Sequence, residues 1–423
     1  MNAAEKSPLA LCRVNGERLW KRLHEVGEIG RKPDGVHCLA LTREENSVHD
    51  LIRSYMEEAG LTVRVDPAGN LIGRREGRFP NLPVVMSGSH GDTVYGGGIF
   101  DGRLGILGAV EALQTMNENG VETDHPIEVY VYRDEEGNRF TRGYSSARFL
   151  AGAPRPGVME MVDKDGITIE KALTDCGFDP RRAVEAKLPK GYAKAHLELH
   201  IEQGNVLESK GLAVGIVSGI FCQTRGFCTL TGKASHAGAT PMALRKDPLC
   251  AAAEIILAAE EAAGQRDDAV ATVGRITVSP GAVNVIPGSV TLSLDIRHLE
   301  PDVANAVIEQ IRRMGETACQ KRGVEMDYQV PPLQEREAKL FDPGVQAVIE
   351  AACREMGLPV HYLPSGAGHD SGVFRELFPT GMIFVRTKDG VSHNGDEYAS
   401  PEDCALGAEV LMRSMIALGA RGK

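Results

Sequence analysis

The residues able to do chemistry sit in short loops that follow apolar runs. The stretch 87–113, SGSHGDTVYGGGIFDGRLGILGAVEAL, carries His90, Asp92 and Asp101 in glycine-rich surroundings. IEVYVYRDEEGNRF supplies Glu135 and Glu136, HLELHIEQG supplies His200, and MIFVRTKDGVSHN supplies His393. Carboxylates and neutral imidazoles suit Zn2+ or Mn2+, and one carboxylate can bridge two such ions. A cation pair acidifies water, and a carboxylate that is not a ligand can carry the proton away. The expectation is that these loops converge on two divalent cations.

Each signal also has a plainer reading. His90-x-Asp92 reads as a hydrogen-bonded turn, Asp101 as the cap of the helix that follows it, and Glu135 with Glu136 as a solvated acidic turn. Against these stands an energetic point: acids gathered at strand ends and desolvated without a counter-charge cost several kcal/mol. A cation is their natural partner.

Positioning such loops calls for an open α/β sheet, whose chemistry lies beyond the carboxyl ends of its strands. Leu82, Val84, Val85 and Met86 mark a buried strand, and Leu104, Leu107, Val110 and Leu113 mark one face of a helix. Thr42 and Glu45 form a capping-box pattern before a helix stopped by Gly60, and LTVRVDPAGNLIGRR reads as a hairpin. Residues 141–192, broken by Pro154, Pro156, Pro180 and Pro189, read as loops and short helices with little function. In HLELHIEQG, alternation sets Leu197, Leu199 and Ile201 on one face and Glu198, His200 and Glu202 on the other.

From about Gly215 the pattern changes. Strand (221–230), helix (246–263), strand (270–278), strand (289–298), helix (301–321) and strand (324–330) give a β-α-β-β-α-β order, the ferredoxin-like plan. The expected organisation is therefore a catalytic domain in two parts, 1–214 and 331–423, with a smaller α+β domain inserted at 215–330. The last part opens with a helix capped by Asp342 with Pro343 first, and closes with one begun by Ser400 and Pro401.

Composition narrows the function classes. At 423 residues, two domains are the default, and 42% apolar with 25% charged residues describes an ordinary soluble protein. An excess of 58 acidic over 47 basic residues, net charge -11, argues against a nucleic-acid surface. No apolar run reaches the ~18 residues of a membrane span, and no secretory leader is evident, so a cytoplasmic location is expected. Nine scattered cysteines without a C-x-x-C pair read as reduced, packed thiols.

The set GSHGDT, FDGRLG, DEEGNRF, ELHIEQG, SHAGATPMALRKDP, VNVIPG, PSGAGHD and KDGVSHN resembles, in order and over nearly the whole chain, the amidase, hydantoinase and carbamoylase group of the di-metal aminoacylase-like hydrolases. The resemblance implies an exopeptidase-like catalytic domain, an inserted dimerisation or lid domain, and a homodimer. It implies two cations per subunit, Mn2+, Zn2+ or Co2+, with Asp101 bridging, His90 and His200 completing one site, and Glu136 and His393 the other. Glu135 becomes the general base, and Asp92 the carboxylate that orients the His90 ring. Substrate contacts map to Gln203, His236, Asn284, Arg297, Gly366 and His369. Arg297 would clamp a substrate carboxylate, and His236 would reach the neighbouring subunit's site to hold the oxyanion.

On residues alone, His236 reads as a turn histidine before Gly238, Arg297 as a surface arginine beside Asp295, and His196 as structural. The implied reaction is hydrolysis of the carbamoyl C–N bond of N-carbamoyl-L-amino acids to the amino acid, carbon dioxide and ammonia. Allantoate amidohydrolase or β-ureidopropionase activity would use the same site. An exopeptidase or aminoacylase is a further class, but those relatives place an acid where this chain has His200. Gly91, Thr93 and the segment RFTRGYSSARFLAG depart from the group's commoner residues near the pocket, and so bear on substrate identity.

Overall fold

The computed structural model describes residues 12–334 and 338–421. The chain divides into two compact units, Met1–Ser218 with Phe341–Lys423, and Gly219–Leu340. Both seams fall a little beyond the boundaries expected after 214 and 330. The reason is local: Val214–Ile220 is one continuous strand, and its start pairs with Ile383–Val385 of the first unit's sheet.

That sheet runs, in spatial order, Val214–Ile220, Thr380–Val385, Ala193–Ile201, Val84–His90, Ile127–Tyr132, Leu71–Arg75, Thr62–Val65. The middle four strands are parallel and the outer ones antiparallel. Parallel strands are covered on both faces and so read as continuous apolar runs rather than alternations. Val84–His90, Ile127–Tyr132 and Thr380–Val385 are accordingly buried at every position. In register, His90 lies opposite Tyr132, and Val385 opposite Ile201. The residues that follow all four strands therefore emerge along one edge.

Two cores flank this sheet. On one face Val85, Val129, Val131, Leu199 and Ile383 pack with Leu104, Leu107 and Val110 of helix Arg103–Glu118 and with Leu411 and Met415 of helix Pro401–Gly419. On the other, Val84, Met86, Tyr130 and Tyr132 pack with Phe140, Phe149, Leu150 and Phe374. The proline-broken region thus closes the second core, through short helices at Ser145–Leu150 and Ile169–Asp175.

Glycine sets how closely the first helix approaches. A Cβ at Gly105 would collide with the Leu199 carbonyl oxygen and lie 2.9 Å from the Ser89 Cβ. Gly105→Ala is expected to cost about 1–3 kcal/mol by overpacking, read as a lower midpoint in urea denaturation with unchanged slope. A variant as stable as the parent would show that the helix can shift away freely.

The second unit follows the ferredoxin-like order. Cys222–Thr231 and Ser289–His298 pair at its centre, with Glu325–Gln329 beside the first and Val270–Thr272 and Ile276–Ser279 beside the second, all antiparallel. The single strand expected at 270–278 is two short ones. Helices Pro248–Gly264 and Pro301–Arg322 bury Ile255, Ala259, Val307 and Ile311 against Leu230, Leu292 and Leu294. All nine cysteines are free thiols, and among the described residues no helix is long and apolar enough to cross a membrane.

Candidate metal centre

Four strand ends and one helix entry carry the site. His90 ends the strand Val84–His90, Glu135 and Glu136 follow Ile127–Tyr132, His200 closes Ala193–Ile201, and His393 lies in the loop after Thr380–Val385. Asp101 precedes helix Arg103–Glu118, whose cap is Gly102 at φ 66° with no side-chain capping bond. The plain N-cap reading of Asp101 is thereby removed: its carboxylate turns to the histidines instead.

Asp101 divides its two oxygens. Oδ1 lies 3.0 Å from His200 Nε2 and 3.5 Å from His90 Nε2, while Oδ2 lies 3.3 Å from His393 Nε2. His393 Nε2 is in turn 3.5 Å from Glu136 Oε2, and His90 Nε2 is 3.8 Å from Glu135 Oε2. The five residues expected as ligands therefore meet, together with Glu135, around a cavity of about 170 Å3 that Tyr144, Gln203, Gly368 and His369 also line.

Cations fit this arrangement on three grounds. Asp101 Oδ1 and Glu136 Oε1 are buried and accept no hydrogen bond among the described residues. The Nδ1 atoms of His90 and His200 lie 3.0 and 2.9 Å from the backbone oxygens of Asp92 and Ile201, which turns both Nε2 atoms to the Asp101 side, where His200 Nε2 also accepts the Gly102 amide at 3.3 Å. Finally, the site lacks positive charge. Burial pulls the His90 imidazole down, yet Glu135 and Asp101 outweigh it and hold it well above its usual range. Burial pushes Glu135 well above the carboxylate range and Glu136 up to about 7, with the neighbouring acids adding to both. His393 is raised to about 9, first by its bond to Asp101.

A model of peptidase family M20/M25/M40 matches residues 80–417. The chain belongs to that family. It is 49% identical over 403 residues, 95% of this chain and 98% of the other, to the N-carbamoyl-L-amino acid amidohydrolase of Geobacillus stearothermophilus. A structure of a hydantoinase/carbamoylase family amidase from Burkholderia multivorans matches with a TM-score of 0.90 at 35% identity, covering 97% of this chain and all (100%) of that one. The allantoate deiminase of Arabidopsis thaliana is 33% identical, over 92% of this chain and 80% of its own. This M20 chain is an amidohydrolase of a metal-dependent family, and the acid–imidazole cluster is its candidate centre.

Asp92, expected to orient the His90 ring, lies beside that ring in this amidohydrolase. Its carboxylate is 3.8 Å from His90 Nδ1, within ion-pair reach, and its backbone oxygen accepts the Nδ1–H at 3.0 Å. The carboxylate accepts the Glu135 and Glu136 amides, each at 3.3 Å, so it shapes the glutamate turn. Two residues apart, the Asp92 backbone reaches the ring first.

Among the expected substrate contacts, Gln203 Nε2 donates to Asp101 Oδ2 at 2.9 Å. His369 stacks edge-on to His200 with Nε2 2.8 Å from the Ser365 hydroxyl. Burial and then His200 keep its imidazole neutral. Ala367 and Gly368, the two residues that follow Gly366, line the cavity. His236, Asn284 and Arg297 belong to the second unit. There the Ala237 amide donates to the Asn284 carbonyl at 2.9 Å, and the Gly238 and Ala239 amides donate to His236 Nδ1, each at 3.1 Å. Arg297 donates from Nε to Asp295 at 2.7 Å, the surface pairing that its sequence neighbour indicates.

Two residues went unnoticed in the sequence. Tyr144, in the region read as carrying little function, holds a left-handed φ of 67° and lies against Gly368 on the cavity wall. Glu397, four positions past His393, shows no periodicity because it sits in a loop. His196 is structural, as read: it is fully buried, with its ring against Phe374 at 4.7 Å and Nε2 3.2 Å from the Tyr132 hydroxyl.

Burial pushes His196 down to about 3. An unfolded histidine titrates near 6.5, so the unfolded chain gains a proton below that pH while the folded one stays neutral. Stability is full above pH 6.5 and falls as pH drops towards 3, by at most ~1.4 kcal/mol per pH unit from this group. Between pH 7 and 5, metal-free parent is expected to lose ~2 kcal/mol more than His196→Gln in urea denaturation. Equal losses would mean that His196 is not held neutral.

Proposed function

We propose that this amidohydrolase cleaves the carbamoyl C–N bond of N-carbamoyl-L-amino acids, using two divalent cations held by His90, Asp101, Glu136, His200 and His393. The observation that supports the reading best is the division of Asp101, one oxygen towards His90 and His200 and the other towards His393. When bound, the cations supply Lewis acidity and charge stabilisation for the attack of water on the carbamoyl carbon. Mn2+, Zn2+ and Co2+ all suit such a mixed carboxylate and imidazole set.

The chain's own residues do the rest. The Glu135 carboxylate takes the proton of the attacking water and returns it to the leaving nitrogen as the C–N bond breaks. The released carbamate then decomposes to carbon dioxide and ammonia. Asp92 holds the turn that presents Glu135 and Glu136. Gln203, Gly366 and His369 contact the substrate from the catalytic unit. His236, whose Nδ1 accepts two backbone amides, presents Nε2–H to an oxyanion in the neighbouring subunit's site, Asn284 and Arg297 are further substrate contacts, and the inserted domain carries the homodimer.

The likeness to the Geobacillus enzyme favours carbamoylated α-amino acids, and the likeness to the plant allantoate deiminase keeps allantoate as the second reading. A panel of N-carbamoyl-L-amino acids, N-carbamoyl-β-alanine and allantoate, assayed on Mn2+-loaded enzyme, tests both. The expected result is a kcat/KM at least tenfold higher for a carbamoyl-L-α-amino acid than for the other two. Preference for allantoate would reverse the assignment.

A further inference from the structure

We propose that Glu397 is a positioning residue that sets the affinity of the second cation site, the one formed by Asp101 Oδ2, Glu136 and His393; this rests on the two-cation reading above. Glu397 is 5% exposed and has no place among the residues assigned above as ligands or substrate contacts. Its Oε1 accepts the backbone amides of Phe100 and Asp101, at 3.0 and 3.1 Å. Its Oε2 accepts the Ser392 hydroxyl at 2.9 Å, and that hydroxyl lies 3.4 Å from Asp101 Oδ2. One carboxylate thus ties the main chain of the bridging ligand, 296 positions away in the sequence, to the residue beside His393.

The chain around it is built to admit this side chain. Gly98 has no room for a Cβ, which would fall 2.5 Å from the Glu397 Cβ and collide with its carboxylate. A buried carboxylate this near Asp101 is costly, so its retention needs the three hydrogen bonds it accepts and a cation close by.

The effect should fall on one site more than the other. His90 and His200 are buried, and each is fixed through Nδ1 by a backbone carbonyl close to it in sequence. The His393 side chain is 49% exposed, and its backbone holds a left-handed φ of 54° in a loop. Without Glu397, the first pair keeps its own anchors while His393 and Asp101 Oδ2 lose a shared one. Removing partners of metal ligands typically costs 10–100-fold in affinity.

The test is a Co2+ titration of metal-free protein, followed by calorimetry and by cobalt absorption, on the parent, Glu397→Ala, Glu397→Gln and Ser392→Ala. The parent is expected to bind two ions. Glu397→Ala should weaken the second by about 10–100-fold and the first by less than threefold. Glu397→Gln keeps an oxygen for the two amides and can donate to Ser392, so it should recover most of the loss. Ser392→Ala, which removes one arm only, should weaken the second ion by a few-fold and remains informative if Glu397→Ala fails to fold. Parent-like affinities in the Ala and Gln variants, or equal weakening of both ions, would overturn the proposal. A parent that takes up fewer than two ions would instead defeat the two-cation reading on which it rests.

Discussion

Glu135→Gln is expected to lower kcat by roughly 10^2- to 10^4-fold while leaving metal content unchanged. The two glutamates are neighbours in sequence, and both approach the histidines: Glu135 Oε2 is 3.8 Å from His90 Nε2, and Glu136 Oε2 is 3.5 Å from His393 Nε2. Geometry alone leaves either able to ligate. The family resemblance makes Glu136 the ligand and Glu135 the base, and the environment of Glu135 suits that task. Burial first, and then the acids around it, raise its carboxyl well above the ordinary range against the opposing pull of His90, and cations at the site would return it to the carboxylate a base requires. Glutamine keeps the shape and removes the basicity. A variant that lost a cation would show Glu135 to be a ligand, and one that hydrolysed as fast as the parent would remove it from the reaction.

The second large effect is expected at Asp101. Asp101→Asn should reduce activity to background and bound metal from two ions to at most one, measured by elemental analysis after gel filtration. An amide presents a single acceptor oxygen, so it cannot face both the His90–His200 pair and His393. Its NH2 group would also place protons where a cation belongs. His393→Ala should cost only one ion, since Asp101 Oδ1 and its two histidines stay in place. If Asp101→Asn retained two ions, the carboxylate would not be a bridge.

These two outcomes separate what the loops share from what distinguishes substrates. Carbamoylases and allantoate-cleaving relatives can use one hydrolytic core, because the bond broken is of the same type. Tyr144 and the Ala367–Gly368 loop meet on the cavity wall. Tyr144 falls within RFTRGYSSARFLAG, the segment that departs from the group's commoner version. Composition carries no information on which side chain such a wall accepts.

Local rules carried much of the architecture. Thr42 does accept the Glu45 amide at 3.3 Å, as the capping pattern predicts, although the Glu45 carboxylate reaches back to the Leu41 amide and pairs with buried Arg133 rather than closing on Thr42. Asp342 and Ser400 cap their helices as read, and the strand 289–298 has the expected bounds. Such features depend on residues a few positions apart, where periodicity and turn chemistry act directly. The same holds for the placement of His90, Glu135 and His200 at strand ends, since each strand announces itself by its own apolar run.

What the linear order left open is every contact made between distant segments. Nothing in H-x-D reveals that the Asp92 carboxylate turns to the glutamate amides, because that depends on how two parallel strands end side by side. Nothing near position 397 reveals a partner at Asp101, roughly three hundred residues earlier. Periodicity encodes the face a residue occupies; which atom it meets there is set by packing of the whole sheet and its loops. The residue types and their strand-end positions were therefore legible in the sequence, and the family resemblance anticipated Asp101 between the two histidine sets, whereas which of its oxygens faces which set came only from the folded chain.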